Sequence, residues 1–167
     1  MIQVYTGNGK GKTTAALGLA LRASGAGLNV YIAQFTKGRC CSEHKALKKL
    51  KNIKLEQFGS GSLIKDKPQQ LDVELAYRGL QKLEKIIASK KYRVIILDEI
   101  NIALKLKLLP LKDGLGLIKR TPKSIELILT GRCAPAQIIK VADLVSEINE
   151  VKHYYSRGIK ARKGIEL

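Results

Sequence analysis

The stretch Thr6-Gly-Asn-Gly-Lys-Gly-Lys-Thr-Thr14 decides the fold, and it follows directly on a short apolar segment, Ile2–Tyr5. It ends in the Gly-Lys-Thr of the phosphate-binding pattern G-x-x-x-x-G-K-[ST], although Thr6 stands where that pattern has its first glycine. Three glycines within five residues let the backbone curl so that several N–H groups point inward, and Lys12 adds a cation. The stretch predicts a loop that binds the triphosphate of a nucleotide, foremost ATP.

The residues that flank this loop predict a strand before it and a helix after it. Ile2–Tyr5 is apolar enough for a buried strand, and Thr13–Ala26 places Ala and Leu at helical spacing up to Gly25 and Gly27. The helix adds its positive end to the loop, and a threonine hydroxyl at its start is a natural Mg²⁺ ligand. The predicted ATP-binding residues of the loop are Thr6, Gly7, Asn8, Gly9, Lys10, Gly11, Lys12, Thr13 and Thr14.

A pair of acids, Asp98 and Glu99, follows the apolar run Val94–Leu97. Such a continuous run is typical of a central strand that is covered on both faces. An acid at the end of this strand, beside a phosphate loop, can hold Mg²⁺ directly or through water. The residues thus predict a metal site in which Thr13 is joined by one of the two acids, and they do not decide which.

Strands alternate with helices along the rest of the chain. Further strands are predicted at Asn29–Phe35, Ile53–Phe58, Ile125–Thr130 and Leu144–Glu147. Further helices are predicted at Glu43–Leu50, Pro68–Lys90, Ile100–Leu109, Asp113–Lys119 and Pro135–Val141. This alternation predicts an α/β fold with a mostly parallel sheet flanked by helices. No linker divides the chain, so we expect one domain, residues 1–167, with 149–167 as a basic C-terminal tail.

The composition bears on partners and location. The chain has 31 Lys+Arg against 14 Asp+Glu, a formal net charge of +17, which favours a polyanionic partner. The lysines are scattered, however, and only 5% of residues are aromatic, a pattern more typical of a solvated surface than of nucleic-acid binding. No apolar run approaches the roughly 18 residues of a membrane span, and the strand pattern starts directly after Met1. We therefore expect a cytoplasmic protein without a membrane segment.

The cysteines are expected to be reduced thiols. Their number, three, is odd, which argues against a disulfide framework. Cys40-Cys41-x-x-His44 contains residues that can ligate metals, but no second pair stands at a zinc-like spacing. We interpret these thiols as incidental rather than as a metal site.

Several further blocks, collinear between residues 4 and 166, extend the similarity to one known family. Besides the loop with Arg22, they are Gln34-Phe-x-Lys-Gly38, Leu97-Asp-Glu99, Leu129-Thr-Gly-Arg132, Ala142–Glu147, Val151-Lys-His153 and Gly158–Glu166. With these blocks the chain resembles the ATP:cob(I)alamin (corrinoid) adenosyltransferases of the phosphate-loop type. Thr6 in place of the first glycine is that family's own form of the loop.

The resemblance implies a single P-loop NTPase-like, RecA-like domain and a specific reaction. The 5′-deoxyadenosyl group of ATP passes to Co(I) of a corrinoid, cob(I)alamin or cob(I)yrinic acid a,c-diamide, and triphosphate is released. By matching position, Thr13 and Glu99 serve Mg²⁺ or Mn²⁺, and Arg22 contacts phosphate. The resemblance also implies a homodimer, a flavoprotein-type reductant, and a role in adenosylcobalamin biosynthesis or salvage.

On the corrinoid side, the family places aromatic residues after the third strand, where this chain has Gly61-Ser-Leu-Ile64. The corrinoid contacts predicted for this chain are Phe58, Leu63, Ile64 and Arg132. Two other functions stay open at this point. One is a nucleic-acid-associated P-loop ATPase, suggested by the net charge, and the other is a non-catalytic module that binds ATP or a corrinoid, suggested by the missing aromatic residues.

Overall fold

The computed structural model, which describes residues 1–38, 41–61, 64 and 67–166, shows strands and helices in alternation. Within these ranges the strands are β1 (Ile2–Thr6), β2 (Val30–Phe35), β3 (Ile53–Phe58), β4 (Val94–Asp98), β5 (Glu126–Thr130) and β6 (Leu144–Glu147). The helices are α1 (Lys12–Gly25), α2 (Ser42–Leu47), α3 (Gln70–Ala88), α4 (Ile100–Lys105), α5 (Leu111–Arg120) and α6 (Ala136–Val141), followed by a 3-10 helix at Tyr154–Arg157. None of the helices in the described ranges is both long enough and apolar enough to cross a membrane.

In this part of the chain the strands form one six-stranded sheet in the order β3-β2-β4-β5-β1-β6, and every neighbouring pair is parallel. Because the strands run the same way, the segments that follow their carboxyl ends meet along one edge of the sheet. Only β5 separates β1, which leads into the phosphate loop, from β4, which ends in the acids. On the other side of β4, Gln34 of β2 lies in register with Asp98.

Helices cover both faces of the sheet and divide the core into two layers. One layer contains Tyr31 and Leu97 and packs against α3, α4 and α5. The other contains Ile32 and Ile96 and packs against the alanines of α1 and Leu47 of α2. Neighbouring residues of one strand thus enter opposite layers, as the two-residue period of a strand requires. The central strands β2 and β4 are buried at every position, which confirms the prediction of a strand covered on both faces.

Two short helices end at least three residues earlier than predicted, and the first of them, predicted over Glu43–Leu50, stops at Leu47. The helix predicted over Ile100–Leu109 stops at Lys105. Lys107 adopts a left-handed conformation with φ 58°, and the next amide, Leu108 N, donates to Ala103 O at 2.9 Å. A left-handed residue followed by this bond is a common way to close a helix, and glycine usually takes that position. Because a lysine takes it here, the sequence carries no glycine to mark the end.

Candidate functional site

The loop between β1 and α1 packs its backbone against the chain that leaves β6. Gly9 N donates to Ile148 O at 2.7 Å, and Ile148 N donates to Thr6 O at 2.9 Å. A Cβ on Gly9 would lie 2.8 Å from the Ile148 carbonyl oxygen, and a Cβ on Gly7 would collide with the same atom. Gly7 and Gly11 also have φ values of 93° and 121°, which other residues rarely adopt. The glycines are therefore required by the shape of the loop, and the Gly9 N–H is already committed to Ile148.

Lys12 lies buried beneath this loop at the first position of α1, with 6% of its surface exposed. Its Nζ donates to Gly9 O at 2.6 Å, which uses one of the three hydrogens of the ammonium. Burial lowers the pKa of Lys12, while the charge of Glu99 acts in the opposite sense. A cation that is kept from water gains strongly from an added anion. The position of Lys12 suits the binding of phosphate.

The Asp98 carboxylate, at the end of β4, accepts hydrogen bonds from several neighbouring segments. Oδ1 accepts from the hydroxyl of Thr13 at 2.9 Å and from that of Thr130 at 2.7 Å. Oδ2 accepts from Gln34 Nε2 at 3.1 Å and from Lys37 Nζ at 2.8 Å. Asp98 is fully buried, and these four donors match the four lone-pair positions of an ionised carboxylate. Asp98 thereby ties the start of α1 to β2 and β5.

Lys37 stands between the phosphate loop and this carboxylate. Besides its bond to Asp98, its Nζ donates to Thr13 Oγ1 at 3.1 Å. Burial opposes the charged form of Lys37, but the charge and hydrogen bond of Asp98 outweigh it, so that the pKa of Lys37 is raised. A positive charge therefore lies beside the Thr13 hydroxyl.

Glu99 occupies a different position from the acid before it. Its backbone is left-handed, with φ 61°, and its N–H donates to Thr130 Oγ1 at 3.0 Å while it caps α4. Burial raises the pKa of the Glu99 carboxyl, and so does the charge of Asp98, whereas Lys37 acts against them. Glu99 is half-buried and Asp98 is fully buried. Of the two acids, Glu99 is the one that a ligand can reach from solvent.

Residues 149–166 pack on the outer side of the phosphate loop. Lys10 Nζ lies 2.7 Å from Glu166 Oε1 and donates to the Tyr154 hydroxyl at 2.9 Å. The Tyr154 hydroxyl also bonds to Glu166, and Arg162 Nη2 lies 3.2 Å from the same carboxylate. The segment predicted as a tail or loop therefore folds back onto the loop through exposed charged groups.

Comparison with known proteins assigns this arrangement to a family. The family model described as "ATP:corrinoid adenosyltransferase BtuR/CobO/CobP" matches residues 1–167, the whole chain. The chain belongs to this family. A corrinoid adenosyltransferase of Pseudomonas aeruginosa is 34% identical over 169 residues, which cover 100% of this chain and 83% of that protein. The corrinoid adenosyltransferase CobA of Salmonella typhimurium is 33% identical over 166 residues, which cover 99% of this chain and 85% of that one.

Solved structures resemble the chain in fold. A KaiC-like protein of Pyrococcus horikoshii has a TM-score of 0.57 at 18% identity, over 91% of this chain and 74% of that chain. An ATPase from the type III secretion system of pathogenic bacteria has a TM-score of 0.50 at 15% identity, over 94% of this chain and 52% of that chain. These comparisons confirm the predicted P-loop NTPase-like α/β fold. The predicted family of transferases is confirmed by the family match.

The members of the loop lie together at the carboxyl edge of the sheet, but Arg22 does not lie with them. It stands nine residues beyond Thr13 in the last turn of α1, which is about 14 Å of helical rise, and it is exposed. Asn8 and Thr14 are exposed at the loop itself. The phosphate contact of Arg22 stays a prediction, and within one chain the structure does not bring this residue to the loop.

The residues predicted for the corrinoid are dispersed. Phe58 is buried in the core, where its ring centroid lies 6.0 Å from that of Phe35. Ile64 is half-buried against the same core, and Leu63 lies outside the described residues. Arg132 is exposed after β5, and its charge contributes to the lowered pKa of Lys12. Arg132 is therefore near the phosphate loop, and the corrinoid contacts of all of these residues stay predictions.

Sequence reasoning did not assign Gln34, Lys37 or Thr130 to the site. Each is a polar residue at or just beyond the carboxyl end of a buried strand, where open parallel sheets bind ligands, and this signal could have found them. The three residues also stand in blocks that carried the family resemblance. Their convergence on Asp98 joins separate strands, so spacing along the chain does not show it.

Proposed function

We propose that this chain transfers the 5′-deoxyadenosyl group of ATP to Co(I) of a corrinoid and releases triphosphate, in the biosynthesis or salvage of adenosylcobalamin. The observation that carries the proposal is the meeting of Lys12 and Thr13 with Asp98 and Glu99 at one sheet edge, in a chain of this family. Relatives named as corrinoid adenosyltransferases support the pair of substrates. The family match does not favour a nucleic-acid-associated ATPase.

In this reaction the phosphate loop holds the leaving group. The bond between C5′ and the triphosphate oxygen breaks, the electron pair of Co(I) forms the cobalt–carbon bond, and triphosphate leaves with the electrons of the broken bond. Negative charge therefore grows on an oxygen beside the loop, where the Lys12 ammonium and the N-terminus of α1 stabilise it. Since the nucleophile belongs to the substrate, the further task of the protein is orientation.

The side chains around Thr13 suit Mg²⁺ or Mn²⁺. They offer hydroxyl and carboxylate oxygens, and the described residues contain no group of three or more His, Cys, Asp or Glu able to cage a metal. Mg²⁺ prefers such sites, with one or two protein carboxylates, several waters and substrate phosphates. We propose that Thr13 and Glu99 hold the ion, which supplies charge neutralisation for the triphosphate. Asp98, whose lone pairs already accept four bonds, orients the Thr13 hydroxyl.

The corrinoid side of the proposal rests on fewer contacts. Arg132 is exposed at the edge of the sheet where parallel strands place ligands, which supports it as a corrinoid contact. Phe58, Leu63 and Ile64 are proposed as apolar contacts on the basis of the family resemblance. By the same resemblance, the proposed enzyme is a homodimer, and a flavoprotein-type reductant supplies the electron that converts Co(II) of the corrinoid to Co(I). We also propose the cytoplasmic location that the sequence led us to expect.

A transfer assay tests the proposal. The protein is incubated with ATP, Mg²⁺ and chemically reduced cob(I)alamin, and the expected products are adenosylcobalamin, seen in its absorption spectrum, and stoichiometric triphosphate. Lys12→Ala is the matched control and should give neither product. ADP and orthophosphate, formed faster with DNA and without an adenosyl product, would support the ATPase instead. ATP and cobalamin binding without any turnover would support the non-catalytic module.

A further inference from the structure

His44 of α2 is buried next to the proposed metal and nucleotide site, and both of its ring nitrogens are engaged. Only 3% of its surface is exposed. Nδ1 accepts a hydrogen bond from the Cys41 backbone N–H at 2.7 Å, and Nε2 lies 2.6 Å from Gln34 Oε1. Because Nδ1 accepts, the proton of a neutral imidazole is on Nε2, which donates to Gln34. Burial lowers the pKa of His44, in keeping with the neutral form.

The Gln34 side chain links the His44 imidazole to the Asp98 carboxylate. Its side chain is fully buried, and its Oε1 also accepts from Gln57 Nε2 at 3.3 Å. Its Nε2 donates to Asp98 Oδ2 at 3.1 Å. A flipped amide would set two donors against each other at His44 and two acceptors against each other at Asp98. The imidazole tautomer and the Gln34 amide therefore fix one another.

We propose that His44 is a positioning residue for the Asp98 carboxylate and that, through the Gln34 amide, it sets the metal affinity of the nucleotide site. The inference rests on the proposed function, since it takes the Thr13 hydroxyl as a metal ligand. Asp98 Oδ1 receives that hydroxyl, and its Oδ2 receives Gln34. Rotation of the carboxylate would disturb both bonds together. Together with Lys37 and Thr130, which also donate to Asp98, His44 helps to hold this rotation from a neighbouring helix.

Two substitutions separate this role from a structural one, because each keeps one ring nitrogen's hydrogen bond. His44→Asn places an oxygen near the position of Nδ1 and so keeps the cap on Cys41 N, but it loses the donor to Gln34. His44→Gln places an amide nitrogen near the position of Nε2 and so keeps the donor, but it loses the cap. Loss of an outer partner of a metal ligand commonly costs about tenfold or more in affinity.

The measurement is Mn²⁺ binding in the presence of ATP, followed by electron paramagnetic resonance as the loss of the free Mn²⁺ signal beyond that in a protein-free solution of the same ATP concentration, because ATP itself chelates Mn²⁺. Because His44 reaches the Thr13 hydroxyl only through Gln34 and Asp98, the loss should be smaller than about tenfold: His44→Asn should raise the dissociation constant of Mn²⁺ about fivefold, and His44→Gln should stay within about twofold of the wild type. Thermal unfolding should show the opposite order, with His44→Gln the less stable variant. Equal Mn²⁺ affinities for both variants, or weaker binding by His44→Gln, would overturn the proposal.

A double-mutant cycle tests the route through Gln34. Gln34→Met removes the amide that bonds to His44, Gln57 and Asp98, so His44→Asn should cost no further Mn²⁺ affinity in that background. An additive loss would show that His44 acts by another route and would overturn the proposal. If wild type and His44→Gln bind Mn²⁺ with ATP but form no adenosylcobalamin, the proposed transfer fails while the role of His44 stands. If the wild type binds no Mn²⁺ with ATP, the metal site itself is wrong.

Discussion

The two lysines of the phosphate loop, two residues apart, lie in different surroundings. Lys12 is 6% exposed and lies on the inner side of the loop, bonded to a backbone carbonyl and close enough to Glu99 to interact with its charge. The side chain of Lys10 is 40% exposed and lies on the outer side, where it meets Tyr154 and Glu166 of the C-terminal segment. Charge interactions are weak where water screens them and strong where it is excluded. The inner side of the loop should therefore dominate binding, although both lysines carry the same charge.

The largest effect is expected from removing the inner lysine. Lys12→Ala should weaken ATP binding by about 100-fold or more, because a charged hydrogen-bond donor in a water-poor loop is lost. Isothermal titration of ATP with Mg²⁺ measures this. Lys10→Ala is the matched control and should change the affinity by about threefold at most, as for an exposed ion pair. Equal losses in the two variants would remove the distinction between the inner and outer sides.

The next largest loss of ATP affinity is expected from a change at Asp98, whose carboxylate accepts four hydrogen bonds. Asp98→Asn should weaken metal-dependent ATP binding by about 30-fold, because an amide NH2 replaces one of the two accepting oxygens and faces donors, and because Lys37 loses its counter-ion. It should also lower the thermal stability, since Lys37 is then left partly buried without a paired charge. ATP titrations with and without Mn²⁺, together with thermal unfolding, measure both effects. Unchanged metal dependence would contradict the role given to Asp98.

A smaller effect is expected at the second acid. Glu99→Gln keeps the shape of a half-buried side chain and removes its charge, so it should reduce metal-dependent turnover by about tenfold. ATP affinity measured without metal should stay within about twofold, because the carboxylate repels phosphate rather than binding it. Steady-state rates over a Mg²⁺ series measure the first quantity. Turnover equal to that of the wild type would exclude Glu99 from the site.

The smallest effect is expected on the outer side. Glu166→Gln should release the C-terminal segment and leave ATP affinity within about twofold. Arg162, Lys10 and Tyr154 hold the pKa of Glu166 well below its usual range. The contribution of this contact to stability is therefore fully present above the ordinary glutamate pKa of about 4.3, declines as the pH falls below it, and is lost only as the pH falls through the lowered pKa of Glu166. Hydrogen exchange of residues 149–166 in the wild type and in Glu166→Gln at pH 7 measures this release, and equal protection in the two proteins would contradict it. In the wild type the protection should persist at pH 3.5, because the lowered pKa keeps Glu166 ionised there.

The inner side of the loop could be predicted from the sequence, because its signals are local. Gly11-Lys12-Thr13 identifies the phosphate loop. The acids after Val94–Leu97 identify the segment that faces it. The parallel sheet then places the two together, since both follow the carboxyl ends of strands. The fold class and the six strands seen in the described part of the chain were predicted for the same reason, as each strand carries its own apolar pattern.

The features that could not be predicted from the sequence depend mostly on contacts between distant segments. The path from His44 through Gln34 to Asp98 crosses α2, β2 and β4, and no spacing along the chain encodes it. The end of α4 lies at Lys107, which takes a conformation usually marked by glycine. The bonds of Lys10 to the C-terminal segment span more than 140 residues. They join side chains that the sequence alone suggests are solvated. Spacing along one chain cannot show such pairings.

The backbone contact of Gly7 and Gly9 with Ile148 sets a lower limit on how far this chain can be shortened. The sheet is complete at Glu147, where its exposed edge strand ends, so a truncation there would look harmless by secondary structure. Yet Ile148 supplies the amide and the carbonyl that hold the loop closed. A version ending at Glu147 should fold and lose nucleotide affinity, whereas one that also keeps Ile148 and Asn149 should retain the pocket wall. We therefore expect the smallest nucleotide-binding unit to include Ile148 and Asn149, the two residues that follow β6.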